Sequence, residues 1–420
     1  MKRLIVYLNG EEVGTLEQDD SGLIQFGYSP EWLAKEEACP LSRMLPLQPD
    51  VFRGKKARPF FAGILPEEEP RRKIAAIFGI SERNDFAMLE RIGGECAGAG
   101  ALLPEGVSPP APGETRLRKL SEAELRRITA ELPRRPLMAG EEGVRLSLAG
   151  AQDKLPVVVR EEQIFLPLGN TPSSHIIKPE PERFPGLVTN ELFCLTLAKA
   201  VGLNVPAVET RWVGNTGCII VQRYDRVPKA DGTITRLHQE DFCQALGFPP
   251  ERKYQEEGGP LLRDCISLLR EWSTTPVLDI RDFVDGLIFN VLIGNADAHG
   301  KNYSMLYKGT RRRLAPFYDL VSTLAWPELS KTLSMKIGKG KSLNEIEPVH
   351  FQEMATENDL GWPMMRERMA RLCRKVLDVL SERNLQSETT AAAMAGHVAR
   401  ITSERTSYIL RKLRDATWRQ

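Results

Sequence analysis

Apolar positions in the first thirty residues come in short bursts separated by turn residues. Leu4-Ile5-Val6-Tyr7-Leu8, then Asn9-Gly10, then Glu12-Val13-Gly14-Thr15-Leu16 reads as two strands joined by the strongest two-residue hairpin signal. Positions 23–28 continue as a strand, and Pro30 opens a helical turn over 30–33. Helical spacing at 67–78 and 85–92 completes a small α+β module over 1–103. A Pro/Gly-dense stretch, 103–114, reads as a linker, and a short charged helix follows at 121–132, so 104–143 is expected to connect two units.

From 144 to 226 the pattern favours strands. Expected are 155–160 and 163–168 around Glu161-Glu162, 174–178 stopped by Pro179, and 205–213 joined to 218–224 by a turn at 214–217. Between them Thr189 is placed to cap a helix running from Asn190 to about Val201, with Leu192, Phe193, Leu195, Thr196 and Ala200 on its apolar side and Gly202 as terminator. From 237 onward the pattern is helical, including 282–293 with Phe283, Leu287, Val291 and Leu292 at helical spacing. The exception is a hairpin, 303–307 and 313–317 around a turn at 308–311. No internal repeat is present.

Composition narrows the function classes. Lys and Arg number 57 against 56 Asp and Glu, and a net charge of +1 argues against a chain that coats nucleic acid. The seven Cys form no C-x-x-C pair and the five His are scattered, which argues against a zinc centre, a redox pair or a disulfide framework. The apolar run after Met1-Lys2-Arg3 is too short for a signal peptide, and no run reaches the ~20 residues of a membrane span. A reduced, cytoplasmic setting with no membrane contact is expected.

Four features that can carry chemistry occur in one order. Ser147-Leu148-Ala149-Gly150-Ala151-Gln152-Asp153-Lys154 is a small-residue loop between strand-like segments, where main-chain N–H groups can approach phosphate oxygens. Alone it is an ordinary turn. Lys178 ends an apolar strand, and Glu191 on the next helix is suited to orient it by an ion pair, as in kinases; by itself it is a solvated strand end. Asn295-Ala296-Asp297-Ala298-His299-Gly300-Lys301-Asn302 follows an apolar helix, and its D-x-x-x-x-N spacing matches a kinase catalytic loop, with Asp as proton acceptor and Asn as metal ligand. Finally, the hairpin after Asn302 returns the chain to Asp319, so two oxygen donors converge beside the base, the layout that holds Mg²⁺.

Other signals carry less. Gly338-Lys339-Gly340-Lys341-Ser342 ends like a phosphate-binding P-loop, but Met335 stands where its first glycine belongs and no buried strand is expected before it. Lys308 with Arg311–313 forms a basic turn, and Arg366, Arg368, Arg371, Arg374 and Lys375 a basic helix, suited to DNA phosphates if not merely solvated. Met364, Met365 and Met369 read as core.

Taken together, these pieces resemble the HipA family of bacterial serine/threonine kinases, the toxins of type II toxin–antitoxin modules. The resemblance rests on the 147–154 loop, Ser174-His175-Ile176-Ile177-Lys178-Pro179, Asn190-Glu191, the segments 221–226 and 236–246, the 297–302 loop and Phe317-Tyr318-Asp319-Leu320. It implies an α+β, protein-kinase-like bilobal fold with a β-rich N-lobe at 144–226, an all-helical C-lobe at 227–420 and the extra N-terminal module. It implies Asp297 as catalytic base, Asn302 and Asp319 as Mg²⁺ ligands, and Lys178 on the ATP phosphates. It also implies Ala149, Gly150, Ala151, Gln152, Asp153 and Lys154 as phosphate loop and Gln222, Arg223 and Tyr224 as adenine-side hinge. His299, Gly300, Lys301 and Tyr318 fall on the nucleotide side as well. Ser147 matches an autophosphorylated serine whose phosphate would eject the loop and switch the kinase off. The implied partners are a small helix-turn-helix antitoxin (HipB-like), operator DNA through that complex, and an aminoacyl-tRNA synthetase as substrate, the glutamyl enzyme foremost. Leu320-Val321 replaces Phe-Gly after Asp319, and His299 stands where eukaryotic kinases place Lys, so Lys301 and Lys154 both remain for the transferring phosphoryl group. The rival readings are a catalytically weak corepressor acting with the antitoxin and a small-molecule phosphotransferase.

Overall fold

Asn9 (φ +51°) and Gly10 (φ +86°) both adopt the left-handed backbone that a tight hairpin requires, and the strands they join, Lys2–Leu8 and Glu11–Gln18, pair in register from Leu8↔Glu11 to Lys2↔Gln18 across one bulge. The computed structural model describes residues 1–109, 114–382 and 390–415. Its chain forms two units. The first comprises Met1–Pro181, Glu209–Glu251 and Ser304–Arg313, and the second Glu182–Val208, Arg252–Tyr303 and the chain from Leu314 onward.

The two largest sheets lie in the first unit. One has the order Phe52–Arg53, Ile24–Tyr28, Glu11–Gln18, Lys2–Leu8, Gly100–Pro104. Leu103 and Pro104, expected to open the linker, therefore end an edge strand that pairs with Lys2–Leu8 and buries Leu102 in the core. Residues 110–113 of the expected linker lie outside the described residues. The other sheet has the order Val208–Val213, Thr216–Gln222, His175–Pro179, Leu155–Arg160, Gln163–Pro167, Leu117–Lys119. Leu117–Lys119 is likewise a strand within the expected connector, paired with Gln163–Pro167. Leu4, Leu16, Phe26, Phe61 and Phe86 share one hydrophobic core with Leu155, Val157, Ile164, Ile177 and Ile220. Burying each such side chain contributes about 1.5–3 kcal/mol, so the two sheets stabilise one another.

The second unit is mainly helical: Leu187–Val201, Leu262–Trp272, Pro276–Ile293, Pro348–Glu357, Trp362–Glu382 and Thr390–Asp415. Its first helix begins three residues earlier than the sequence reading, and its cap is Gly186 (φ +87°), so Thr189 lies in the first turn and caps nothing. The helix is buried around most of its circumference, and Ala200, assigned to the apolar side, is exposed. Asn190, in the first turn, ties the helix to Ser322: its Nδ2 donates to Ser322 O at 3.0 Å and its Oδ1 accepts the Ser322 N–H at 2.8 Å. The region beyond 237 is less purely helical than its pattern suggests. His238–Asp241 pairs with Ser304–Lys308 within the first unit, and Thr332–Ile337 with Gly340–Ser342 within the second. A buried strand does precede Gly338, contrary to expectation, but the chain returns as a strand rather than entering a helix, so no P-loop forms. Met365 and Met369 are core, whereas Met364 is 62% exposed, one position off the buried stripe of its helix.

Candidate active site

The 297–302 loop is shaped by how its preceding helix stops. Pro276–Ile293 ends at Gly294 (φ +74°), whose N–H bonds back to Asn290 and Val291 carbonyls. A side chain there would meet Leu324 at 2.7 Å as well as strain the backbone, so the position requires glycine. Buried asparagines then direct the chain. Asn295 Nδ2 donates to Asn290 Oδ1 at 2.8 Å, and Asn295 Oδ1 accepts the Asp297 N–H at 3.0 Å. Thr323 Oγ1 accepts the Ala296 N–H at 3.0 Å and donates to Gly294 O at 3.1 Å. From the other side, Ser334 donates through both N–H and Oγ to Ala296 O, each at 2.9 Å. The main chain on either side of Asp297 is thus held while its carboxylate is exposed to solvent.

Asn302 folds back on this loop. Its Oδ1 accepts the His299 N–H at 3.1 Å and its own N–H donates to His299 O at 2.9 Å. One lone pair of that oxygen is used and a second remains for a cation. Tyr318, beyond the hairpin, donates its hydroxyl to Lys301 O at 2.7 Å, which ties the residue before Asp319 to the residue before Asn302. Asp319 has φ +52°, a strained conformation for a side-chain-bearing residue. His299 is buried with its ring edge-on to Tyr254 at 5.3 Å, and Lys301 is buried as well. Among the described residues no three His, Cys, Asp or Glu side chains gather as a metal cluster. Asn302 and Asp319 offer oxygen donors only, a chemistry that would suit Mg²⁺, which keeps waters and takes substrate oxygens, and not zinc.

The remaining sequence-predicted residues divide between the units. Glu191 is buried on the helix Leu187–Val201 of the second unit. In the first, Lys178 is buried on its strand opposite Ile219. Ser147 is fully buried, its hydroxyl donating to Ile64 O at 2.9 Å and its N–H to Glu95 O at 2.8 Å. Gly150 (φ +105°) bridges to Pro66, Glu67 N–H meets Gly150 O at 3.2 Å, and Lys154 Nζ closes the loop onto Ala149 O at 2.6 Å. Burial raises the Asp153 carboxyl above its ordinary range, with Lys73 and Lys154 opposing. In the hinge segment Gln222 is exposed, and Tyr224 bonds Gln239 Oε1 through its hydroxyl.

Arg223 has a different setting from the one its place in the hinge suggests. Its side chain lies in a buried charge cluster with Glu95, Asp225, Arg226 and Arg236. Glu95 receives Arg223 at 3.1 Å, Arg226 at 2.9 Å, Arg236 at 2.8 Å, and the N–H and hydroxyl of Ser173, each at 2.9 Å. Burial opposes its charge, and the guanidiniums of Arg226, Arg236 and Arg223 overcome that, holding the carboxyl well below the usual range. The guanidinium of Arg223 is therefore committed to the fold, and a ligand could meet only its main chain. Sequence reasoning passed over Glu95, Asn290, Thr323 and Ser334. Only the first left a trace, as a lone acid in the small-residue run 93–100.

Comparison with known proteins gives a consistent picture. A family profile described as the HipA N-terminal domain matches residues 4–102, and one described as the HipA-like C-terminal domain matches 146–382. Y4mE of Sinorhizobium fredii (strain NBRC 101917 / NGR234), named only provisionally as a kinase, is 47% identical over 373 residues, spanning 88% of this chain and 89% of its own. The serine/threonine-protein kinase toxin HipA of Shewanella oneidensis is 31% identical over 369 residues, covering 84% and 83%. The solved structure of Shewanella oneidensis MR-1 HipA, determined with HipB and operator DNA, matches with a TM-score of 0.87 at 27% identity over 98% of both chains.

Proposed function

The chain belongs to the HipA family and is a serine/threonine protein kinase of kinase-like α+β fold; from that premise we propose that it is the toxin of a toxin–antitoxin pair, dependent on ATP and Mg²⁺. The observation that carries the mechanism is the exposed Asp297 carboxylate on a loop held by Asn295, Thr323 and Ser334, with Asn302 folded onto the same loop.

In this reading Asp297 accepts the proton of a serine or threonine hydroxyl as its oxygen attacks the γ-phosphorus of ATP. The bond from that phosphorus to the bridging oxygen breaks, and ADP leaves. Asn302 and Asp319 would hold Mg²⁺, which neutralises phosphate charge when bound. Lys178 and the 149–154 loop receive the phosphates, Gln222 to Tyr224 the adenine side, and buried Lys301 lies within the same loop as the base. Ser147 is the regulatory phosphorylation site in this reading. Its hydroxyl sits inside the fold on Ile64 O, so a dianionic phosphate there could be accommodated only by expelling the loop.

Partners follow from the relatives. HipA of Shewanella oneidensis was solved with HipB and operator DNA, which supports a small helix-turn-helix antitoxin here and DNA contact through that complex. The family resemblance supports an aminoacyl-tRNA synthetase, foremost the glutamyl enzyme, as protein substrate, and hence action in the cytoplasm. Among the described residues no helix is long and apolar enough to cross a membrane.

Intact-mass spectrometry after incubation with ATP and Mg²⁺ tests the reading. Wild type is expected to gain one phosphate, Ser147→Ala none, and Asp297→Asn none with an unchanged circular dichroism spectrum. A phosphorylated Asp297→Asn chain would remove Asp297 from the mechanism.

A further inference from the structure

The Asp297 carboxylate is exposed, and an exposed carboxylate rotates freely about its last torsion unless something restrains it. Ser334, 37 positions along the chain, reaches it: the Ser334 hydroxyl lies 3.5 Å from Asp297 Oδ1. Ser334 is buried, on the strand Thr332–Ile337. The strand itself is anchored. Ser334 N–H donates to Ala296 O at 2.9 Å, and two residues on, Lys336 N–H donates to Gln255 Oε1 at 2.7 Å. A rigid element therefore presents one hydroxyl to both the main chain before the base and the base itself.

We propose that Ser334 is a positioning residue for phosphoryl transfer: its hydroxyl, shared between Ala296 O and Asp297 Oδ1, fixes the rotation of the carboxylate and presents Oδ2 to the acceptor hydroxyl. The proposal rests on the reading of Asp297 as base. At 3.5 Å the contact is at the outer limit of a hydrogen bond, and a small change in the Ser334 χ1 or Asp297 side-chain torsions that brings Oγ and Oδ1 together shortens it, as catalytic contacts do when a substrate arrives. The substrate proton goes to Oδ2, and Ser334 keeps its own. Oδ1 stays an acceptor in both protonation states, so Ser334 donates before and after transfer without any main-chain movement. Because the Ser334 N–H anchors Ala296 independently of Oγ, removing the hydroxyl leaves the loop attached through that N–H while deleting the second bond to Ala296 O together with the restraint on the carboxylate.

Single-turnover transfer of radiolabel from [γ-³²P]ATP onto the full-length chain, with Mg²⁺, tests this. Asp297→Asn is expected to be inactive. Ser334→Ala is expected to lower the limiting rate constant about tenfold, the scale of one hydrogen bond to a charged group, with half-saturating ATP unchanged within about twofold. Ser334→Thr keeps the hydroxyl on a residue suited to strands and is expected to restore the rate. Ser334→Ala at the wild-type rate beside an inactive Asp297→Asn overturns the proposal alone, as does a Thr variant no better than Ala, or a loss that appears only in ATP affinity. An active Asp297→Asn, or an inactive wild type, overturns the underlying reading and the proposal together.

Discussion

Glu240 shows how one buried side chain can make stability depend on pH. It is 1% exposed and accepts Ser42 Oγ at 2.5 Å, Arg43 N–H at 2.9 Å and the Tyr307 hydroxyl. Burial nevertheless outweighs these donors and pushes its carboxyl up to about 7, with Asp241 adding repulsion. The folded value exceeds the unfolded one, so the fold favours the protonated form. That stabilisation is complete below the ordinary glutamate range and is lost as pH rises through about 7. Thermal melts between about pH 5.5 and pH 8.5 are expected to show wild type losing on the order of 2 kcal/mol as pH rises, and Glu240→Gln losing much less. Parallel slopes for the two proteins would contradict this. His238, two residues earlier, moves the other way: burial lowers its imidazole to about 4, so it stays neutral throughout this window.

At the scale of elements, the stop of the helix Pro276–Ile293 decides where Asp297 stands. Gly294 combines a left-handed φ with a side-chain-free contact to Leu324. Ala at this position is expected to cost about 1–3 kcal/mol, from backbone strain and from displacing Leu324. The displacement falls three residues before Asp297, so phosphoryl transfer should drop by more than the lost folded fraction explains. Urea titration alongside the labelled-ATP assay separates the two effects, and a fully active, unperturbed Gly294→Ala would show that the loop does not depend on that stop.

For the first unit as a whole, Glu95 is the point where the N-terminal residues meet the six-stranded sheet. Its main chain carries Ser147 and its side chain carries Arg223, Arg226 and Arg236. Neutralising it leaves three buried guanidiniums with Asp225 as the remaining carboxylate of the cluster, and breaking such a network costs about 3–5 kcal/mol. Glu95→Gln is therefore expected to shift the urea midpoint far down, and to perturb both the Ser147 loop and the 222–224 segment. A loss below about 1 kcal/mol would mean that water or Asp225 substitutes for it. The same charge makes this unit acid-sensitive: the Glu95 carboxyl lies below its unfolded value, so its contribution is present above the ordinary glutamate range and fades as pH falls below it.

Short-range patterns in the chain determined much of this protein. The Asn9-Gly10 hairpin, the strand Leu155–Arg160, the helix Asp85–Ile92 and the Gly202 stop follow from turn chemistry and periodicity, which depend only on neighbours in the sequence. The same locality put Asp297 and Asn302 five positions apart on one loop after an apolar helix. Tertiary structure alone decided what holds that loop. Thr323 and Ser334 reach it from 27 and 37 positions away. It also decided that Gly100–Pro104 is a strand, since that segment becomes one only against Lys2–Leu8, and that Arg223 is structural, since its partner Glu95 is 128 positions away. A buried charge and an anchored loop are defined by everything around them, and those surroundings exist only once the chain has folded.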